Sequence, residues 1–157
     1  MTIKGLMIDP VTNMPIVVQR DLAGERVLPI WVGVFEANAI ALQIENVQTP
    51  RPMTHDLLTS IIGRMDGRVE RVIVCDLKDN TFYASVVIQT AGQSLVVDAR
   101  PSDAIALALR AGSPIFVDEL VFQRTHQAEQ SGEADEMVRL RKWLENLGEE
   151  DLGKYKM

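Results

Sequence analysis

The side chains with the widest chemical reach in this 157-residue chain gather in two short segments, Arg51-Pro52-Met53-Thr54-His55-Asp56 and Asp98-Ala99-Arg100-Pro101-Ser102-Asp103. Each places Arg-Pro just ahead of an expected helix start, with a hydroxyl and an aspartate behind it. Helix N-termini offer free N–H groups and the positive end of the helix dipole, and an arginine beside one can complete an anion site. Two such starts brought together could cradle phosphates, with Arg51, Arg100 and Ser102 as the phosphate ligands. His55 can act as general acid or base, and Asp56 can orient it. Glu36, Asp98 and Asp103 supply further carboxylates. With Asp56 they could bind Mg²⁺ or Mn²⁺ if the two segments face each other, Asp98 and Asp103 being the leading ligands. Each residue also has a purely structural role open to it. His55 can sit satisfied in a capping turn, and Asp56 and Glu36 can complement a helix dipole. The arginines can pair with those same carboxylates. Ser102 reads as a cap rather than a nucleophile, because no Gly-x-Ser-x-Gly elbow surrounds it.

The elements that must position these residues follow from pattern. Ile3 to Ile8, Met14 to Gln19 and Val27 to Val32 read as strands joined by short turns, an antiparallel meander. Pro15 suggests an edge position for the second. Gly33 to Ile44, rich in alanine and spaced aliphatics, predicts a helix packed on a sheet. A second helix starts at Thr54 as N-cap, carries Leu57, Leu58, Ile61, Ile62 and Met65 on one apolar stripe, and ends at Asp66-Gly67. Val69 to Leu77, Thr81 to Gln89 and Ser94 to Val97 are strands with turns at Lys78-Asp79-Asn80 and Ala91-Gly92. Pro101 opens an almost wholly apolar, buried helix that Gly112 caps and Pro114 blocks. Ile115 to Val117 is a short strand. Thr125 to Ala134 reads as a polar linker. A tail helix follows, with Met137, Leu140, Leu144 and Leu147 on one face and Trp143 beside them, ended by Gly148. Its stripe must pack on the body or on a second subunit.

Composition narrows the classes. The length fits one domain able to bury a sizeable core. Cys75, the only cysteine, excludes an internal disulfide and a cysteine-built zinc cage, and its strand-like flanks predict a buried thiol. The formal charge is −6, with 8 acidic against 5 basic residues from His126 onward. Non-specific nucleic-acid binders usually show a basic balance, so charge counts against that class, although a local basic groove remains compatible with it. No secretory pattern and no membrane-length apolar run is present, which places the protein in the cytoplasm. There is no H-E-x-x-H, P-loop or Rossmann fingerprint, and the sparse aromatics do not interleave with basic residues.

The chain echoes itself. Asn38-Ala39-Ile40-Ala41-Leu42 matches Asp103-Ala104-Ile105-Ala106-Leu107 at four of five positions. Ile30-Trp31-Val32 aligns in kind with Leu95-Val96-Val97, so a strand–turn–helix unit could be duplicated. Convergence of helices packed on sheets is the plainer reading.

Three segments in order carry a resemblance. Leu28-Pro29-Ile30-Trp31-Val32-Gly33 with Glu36-Ala37, then Arg51 to Leu57, then Asp98 to Leu107, resemble the motifs of the bifunctional nuclease domain family over residues 1–122. Residues 123–157 add the polar linker and helical tail. The resemblance implies an α+β fold with helices against a mixed, largely antiparallel sheet. It also implies a homo-oligomer, with a dimer as the expected form, and hydrolysis of DNA and RNA phosphodiester bonds. In that reading His55, Asp56, Glu36 and Asp103 are catalytic. A non-catalytic regulatory module that binds a ligand or a protein, and a structural oligomer scaffold, are the rivals.

Overall fold

The computed structural model describes residues 1–24, 26–132 and 135–145. Strands β1 (Thr2–Ile8), β2 (Pro15–Arg20) and β3 (Val27–Trp31) form an antiparallel sheet in the order β1-β2-β3. Helix α1 (Val34–Ile44) follows at once, then α2 (Thr54–Arg64). Strands β4 (Gly67–Lys78), β5 (Thr81–Thr90) and β6 (Gln93–Ala99) make a second antiparallel meander and lead directly into α3 (Pro101–Ala111). Strand β7 (Ile115–Val117) joins the far side of β4 in parallel, giving the order β6-β5-β4-β7. Helices α4 (Glu119–Ser131) and α5 (Asp135–Glu145) complete the described chain. The fold is α+β, and its largely antiparallel strands are shared between two sheets rather than one. Each sheet begins as a three-stranded meander that turns straight into a helix, and α1 packs on α3.

Local chemistry explains the turns. Asp79 and Asn80 both have positive φ, as do Ala91 and Gly92, which suits two-residue hairpin loops whose twist matches the strands. Gly112 stops α3 in the left-handed conformation. The main core lies between the two sheets and the α1–α3 pair, with Val17, Leu28, Ile40, Val72 and Ile105 fully buried. A second core forms on the outer face of the first sheet, where Met7, Ile16 and Val18 meet Leu140 and Leu144 of α5. The tail helix therefore packs on its own body. Leu147, Gly148 and the side chain of Met137 lie outside what is described.

Four expectations need correction. β2 is the central strand of its sheet, and Pro15 is tolerated as its first residue, opposite Ile8, where few ladder bonds are required of it. The segment read as a linker is helical through Ser131, because Val121 and Thr125 bury against β4 and Glu129 turns inward to meet Arg141 at 2.9 Å, while His126, Gln127 and Gln130 face outward. The cap of α2 is Met53, one residue earlier than expected, and Asp56 accepts its N–H at 2.9 Å. The α2 stripe is largely exposed: only Ile62 joins the core, and Leu57, Leu58, Ile61 and Met65 face outward. Cys75, half-buried on β4, and His126, on α4 beside Glu129, stand away from the Arg-Pro segments.

One polar tie fastens the tail. Asp9 is fully buried and accepts from Arg139 at 3.0 Å, from Trp31 Nε1 at 3.1 Å and from the Val11 amide at 2.9 Å. Burial alone would raise the Asp9 pKa, but these donors outweigh it and hold it well below the carboxylate range. A depressed folded pKa stabilises the fold above the unfolded value, about 3.9, and that stabilisation fades as pH falls toward the folded value. Acid titration followed by tryptophan fluorescence should therefore show destabilisation below about pH 4 that is smaller in Asp9→Asn.

Candidate functional site

The site is assembled where three helices begin. Gly33 caps α1 and puts Glu36 in its first turn. A Cβ at position 33 would collide with the Glu36 carboxylate, so this glycine is the space into which that side chain folds back. Met53 caps α2 and sets His55 in its first turn. Arg100 is the single residue between β6 and α3, and Pro101 at the first helical position fixes the backbone there, with Asp103 following.

These residues form one connected chain. His55 Nε2 lies 2.9 Å from Asp103 Oδ1. Arg100 Nε donates to Asp103 Oδ2 at 2.8 Å, and Arg100 Nη1 donates to Glu36 Oε1 at 3.0 Å. His55 is buried, Asp103 is half-buried and Arg100 is largely open. Burial pushes the Asp103 pKa up, but the hydrogen bonds from Arg100 and His55 bring it below the usual range, so the carboxylate is ionised at neutral pH. The Arg100 guanidinium is pushed further up by Asp103 and Glu36. With Nε2 held by a carboxylate, Nδ1 is the imidazole nitrogen left to take or give a proton. The group borders a cleft of about 350 Å³, with Phe35 and Asn38 on its rim; Phe35 is 88% exposed.

Asp56 does not join this chain. Its Oδ2 accepts the Met53 amide, and its Oδ1 accepts Arg110 Nε at 2.8 Å. The Met53 bond and the Arg110 contact outweigh its partial burial and lower its pKa. Arg110 also donates to Ala39 O and Ala106 O, both at 2.9 Å, and its side chain is only 5% exposed. It ties α1, α2 and α3 together behind the cleft. Sequence reasoning passed over this residue. The available signal was its place seven residues, two turns, after Asp103 on a helix otherwise apolar at its centre.

Arg51 is exposed and borders a neighbouring cleft of about 320 Å³ with Asp56 and Arg110. The two Arg-Pro segments thus open into adjacent clefts that share Leu42 and Met53 as a wall. Ser102 is buried in the first turn of α3. Asp98 pairs in register with Ser85, one position out of phase with Ala99, which packs against the core, and therefore points to the opposite side of the sheet. Among the described residues, no three His, Cys, Asp or Glu side chains are grouped to hold a metal ion. Glu36 and Asp103 share Arg100 instead. No helix among the described residues is long and apolar enough to cross a membrane.

Comparison with known proteins agrees with the three motifs. The family model described as the bifunctional nuclease domain matches residues 16–130. An uncharacterised protein of Mycobacterium tuberculosis is 34% identical over 158 aligned residues, covering 95% of this chain and 94% of that protein. Bifunctional nuclease 1 of Oryza sativa subsp. indica is 24% identical over 116 residues, 72% of this chain and 35% of its own length. Bifunctional nuclease 2 of Arabidopsis thaliana is 28% identical over 95 residues, 59% of this chain and 29% of its own. This chain thus spans about a third of the plant proteins and nearly all of the mycobacterial one, and with its matched model and its three motifs it belongs to the bifunctional nuclease domain family.

Proposed function

We propose that this protein is a nuclease that hydrolyses phosphodiester bonds of DNA or RNA in the cleft between α1, α2 and α3. The observation that supports it best is the His55–Asp103–Arg100–Glu36 chain at the mouth of that cleft. His55 acts at Nδ1, taking a proton from the attacking water or returning one to the leaving oxygen. Asp103 is a positioning residue that fixes the ring. Arg100 stabilises charge on the phosphoryl oxygens, and Glu36 and Asp103 hold its guanidinium in place until a phosphate competes for it. Arg51, in the adjacent cleft, holds a neighbouring phosphate. Phe35 offers an open ring on which an unpaired base stacks. The protein works in the cytoplasm as a homo-oligomer in this reading.

The test is cleavage of labelled single-stranded and duplex DNA and RNA in the presence of Mg²⁺, Mn²⁺ or EDTA. Cutting that persists in EDTA is expected, because the carboxylates are committed to Arg100; strict dependence on an added metal overturns the metal-free mechanism. Phe35→Ala should weaken single-strand binding by about 1–3 kcal/mol, roughly 5- to 150-fold, and leave duplex binding closer to wild type. A second reading is supported by the same ion pairs, since Arg100 is already neutralised. In it the cleft binds an anion without turning it over. Thermal stabilisation by nucleotides with no cleavage under any condition selects that reading.

A further inference from the structure

Among the described residues, nothing pairs with or covers the free edge of the outermost strand β6. It is regular over Gln93–Ala99, pairs with β5 without a register shift, and has exposed side chains at every position but Ala99. Leu95, Val96 and Val97 are 44%, 69% and 47% exposed. Edge strands are normally blunted by lysine, proline, bulges, short length or a covering element. β6 has no lysine, no proline and no bulge, and its only charge is Asp98. The opposite edge of the same sheet shows what protection looks like here. β7 is 3 residues long, and the Met1 ammonium donates to Ile115 O at 2.8 Å.

We propose that β6 is a dimerisation edge, on which the β6 strand of a second copy of this chain pairs antiparallel about a two-fold axis at Val96. The free backbone groups of an edge are matched by another strand, and this strand is complementary to itself. Centring on Val96 sets Leu95 against Val97 of the second copy, on the helix-bearing side of the sheet. It also sets Ser94 against Asp98, a hydroxyl donor opposite a carboxylate, and keeps the two Asp98 charges apart. Centring on Asp98 would oppose like charges.

Strand pairing alone falls short of the roughly 1,200–2,000 Å² that stable interfaces bury. The exposed stripe of α2 supplies further apolar surface. At the end of α2, Ile62 stands within contact distance of the space beside Gly67 that Thr90 also borders, and Thr90 pairs with Gln93 at the start of β6. Leu57, Leu58, Ile61 and Met65 are therefore presented from a helix anchored at the end of the sheet where β6 begins. The nuclease reading is not needed for this proposal, and activity does not enter its test.

Light scattering on the whole protein at tens of micromolar should give twice the 17.5 kDa mass of one chain. Val96→Lys puts like charges opposite each other at an exposed position and should halve that mass with an unchanged circular dichroism spectrum. In a Cys75→Ser background, Val96→Cys should form an intermolecular disulfide under mild oxidation. A single-chain mass for the wild type overturns the proposal. So does a Val96→Lys variant that keeps the wild-type mass, which would put the second copy, or another partner, elsewhere.

Discussion

His55→Ala should lower phosphodiester cleavage by roughly 10²- to 10⁴-fold, the range by which positioned acid–base groups contribute. The measurement is single-turnover cleavage of labelled RNA and DNA by variants whose thermal unfolding matches wild type. Asp103→Asn should fall in the same range. The amide still fills the space beside His55 Nε2 but no longer presents a carboxylate that fixes the imidazole tautomer. Because the two residues act as one unit, the double variant should lose little more than either single one. Additive losses would place His55 and Asp103 in separate roles. Undiminished cleavage by both variants would mean that the activity belongs elsewhere, and the anion-binding reading would take its place.

Arg110→Ala should cost about 3 kcal/mol of stability, since a buried cation with several partners is removed and the groups it served are stranded. For a chain of this size that is roughly 6–12 °C in Tm, readable by calorimetry. Ala39 O loses its side-chain donor, and three helices lose their common tie. Asp56→Asn should cost much less, because the Asp56 side chain is 36% open to solvent and its end of the pair is screened. A fall of less than about 1 kcal/mol for Arg110→Ala would show that helix packing alone sets the geometry behind the cleft.

Much of this architecture was legible because the chain obeys simple periodicities. Alternation and turn residues reveal β4 to β6, and Pro101 with Gly112 bounds α3 to the residue. The echo between Asn38 and Asp103 corresponds to two meanders, each feeding a helix, with those helices packed together. The misreadings have physical causes. α4 looks like a linker because a helix that buries little beyond Val121 and Thr125 needs few apolar residues. The α2 stripe looks like core because periodicity reports that a face is apolar and not what covers it. At the site, motif position singled out His55, Asp103, Arg100 and Glu36, and left arginine–carboxylate pairing open, but it matched His55 with Asp56 rather than with Asp103. Asp98 stands in the same motif as Arg100, yet strand alternation turns it to the other side of the sheet. Arg110 belongs to no motif, and its role appears only once three helices converge.

The first sheet is completed by residues from the far end of the chain. Met1 bonds to Ile115, Asp9 to Arg139, and Met7, Ile16 and Val18 wait for Leu140 and Leu144. On the ribosome, the first strands emerge more than a hundred residues before their outer face can be covered. Contacts of such sequence separation slow folding, because the closure entropy of a long loop is spent before burial returns it. The nascent chain therefore exposes an apolar β-surface until α5 has been made and can settle on it.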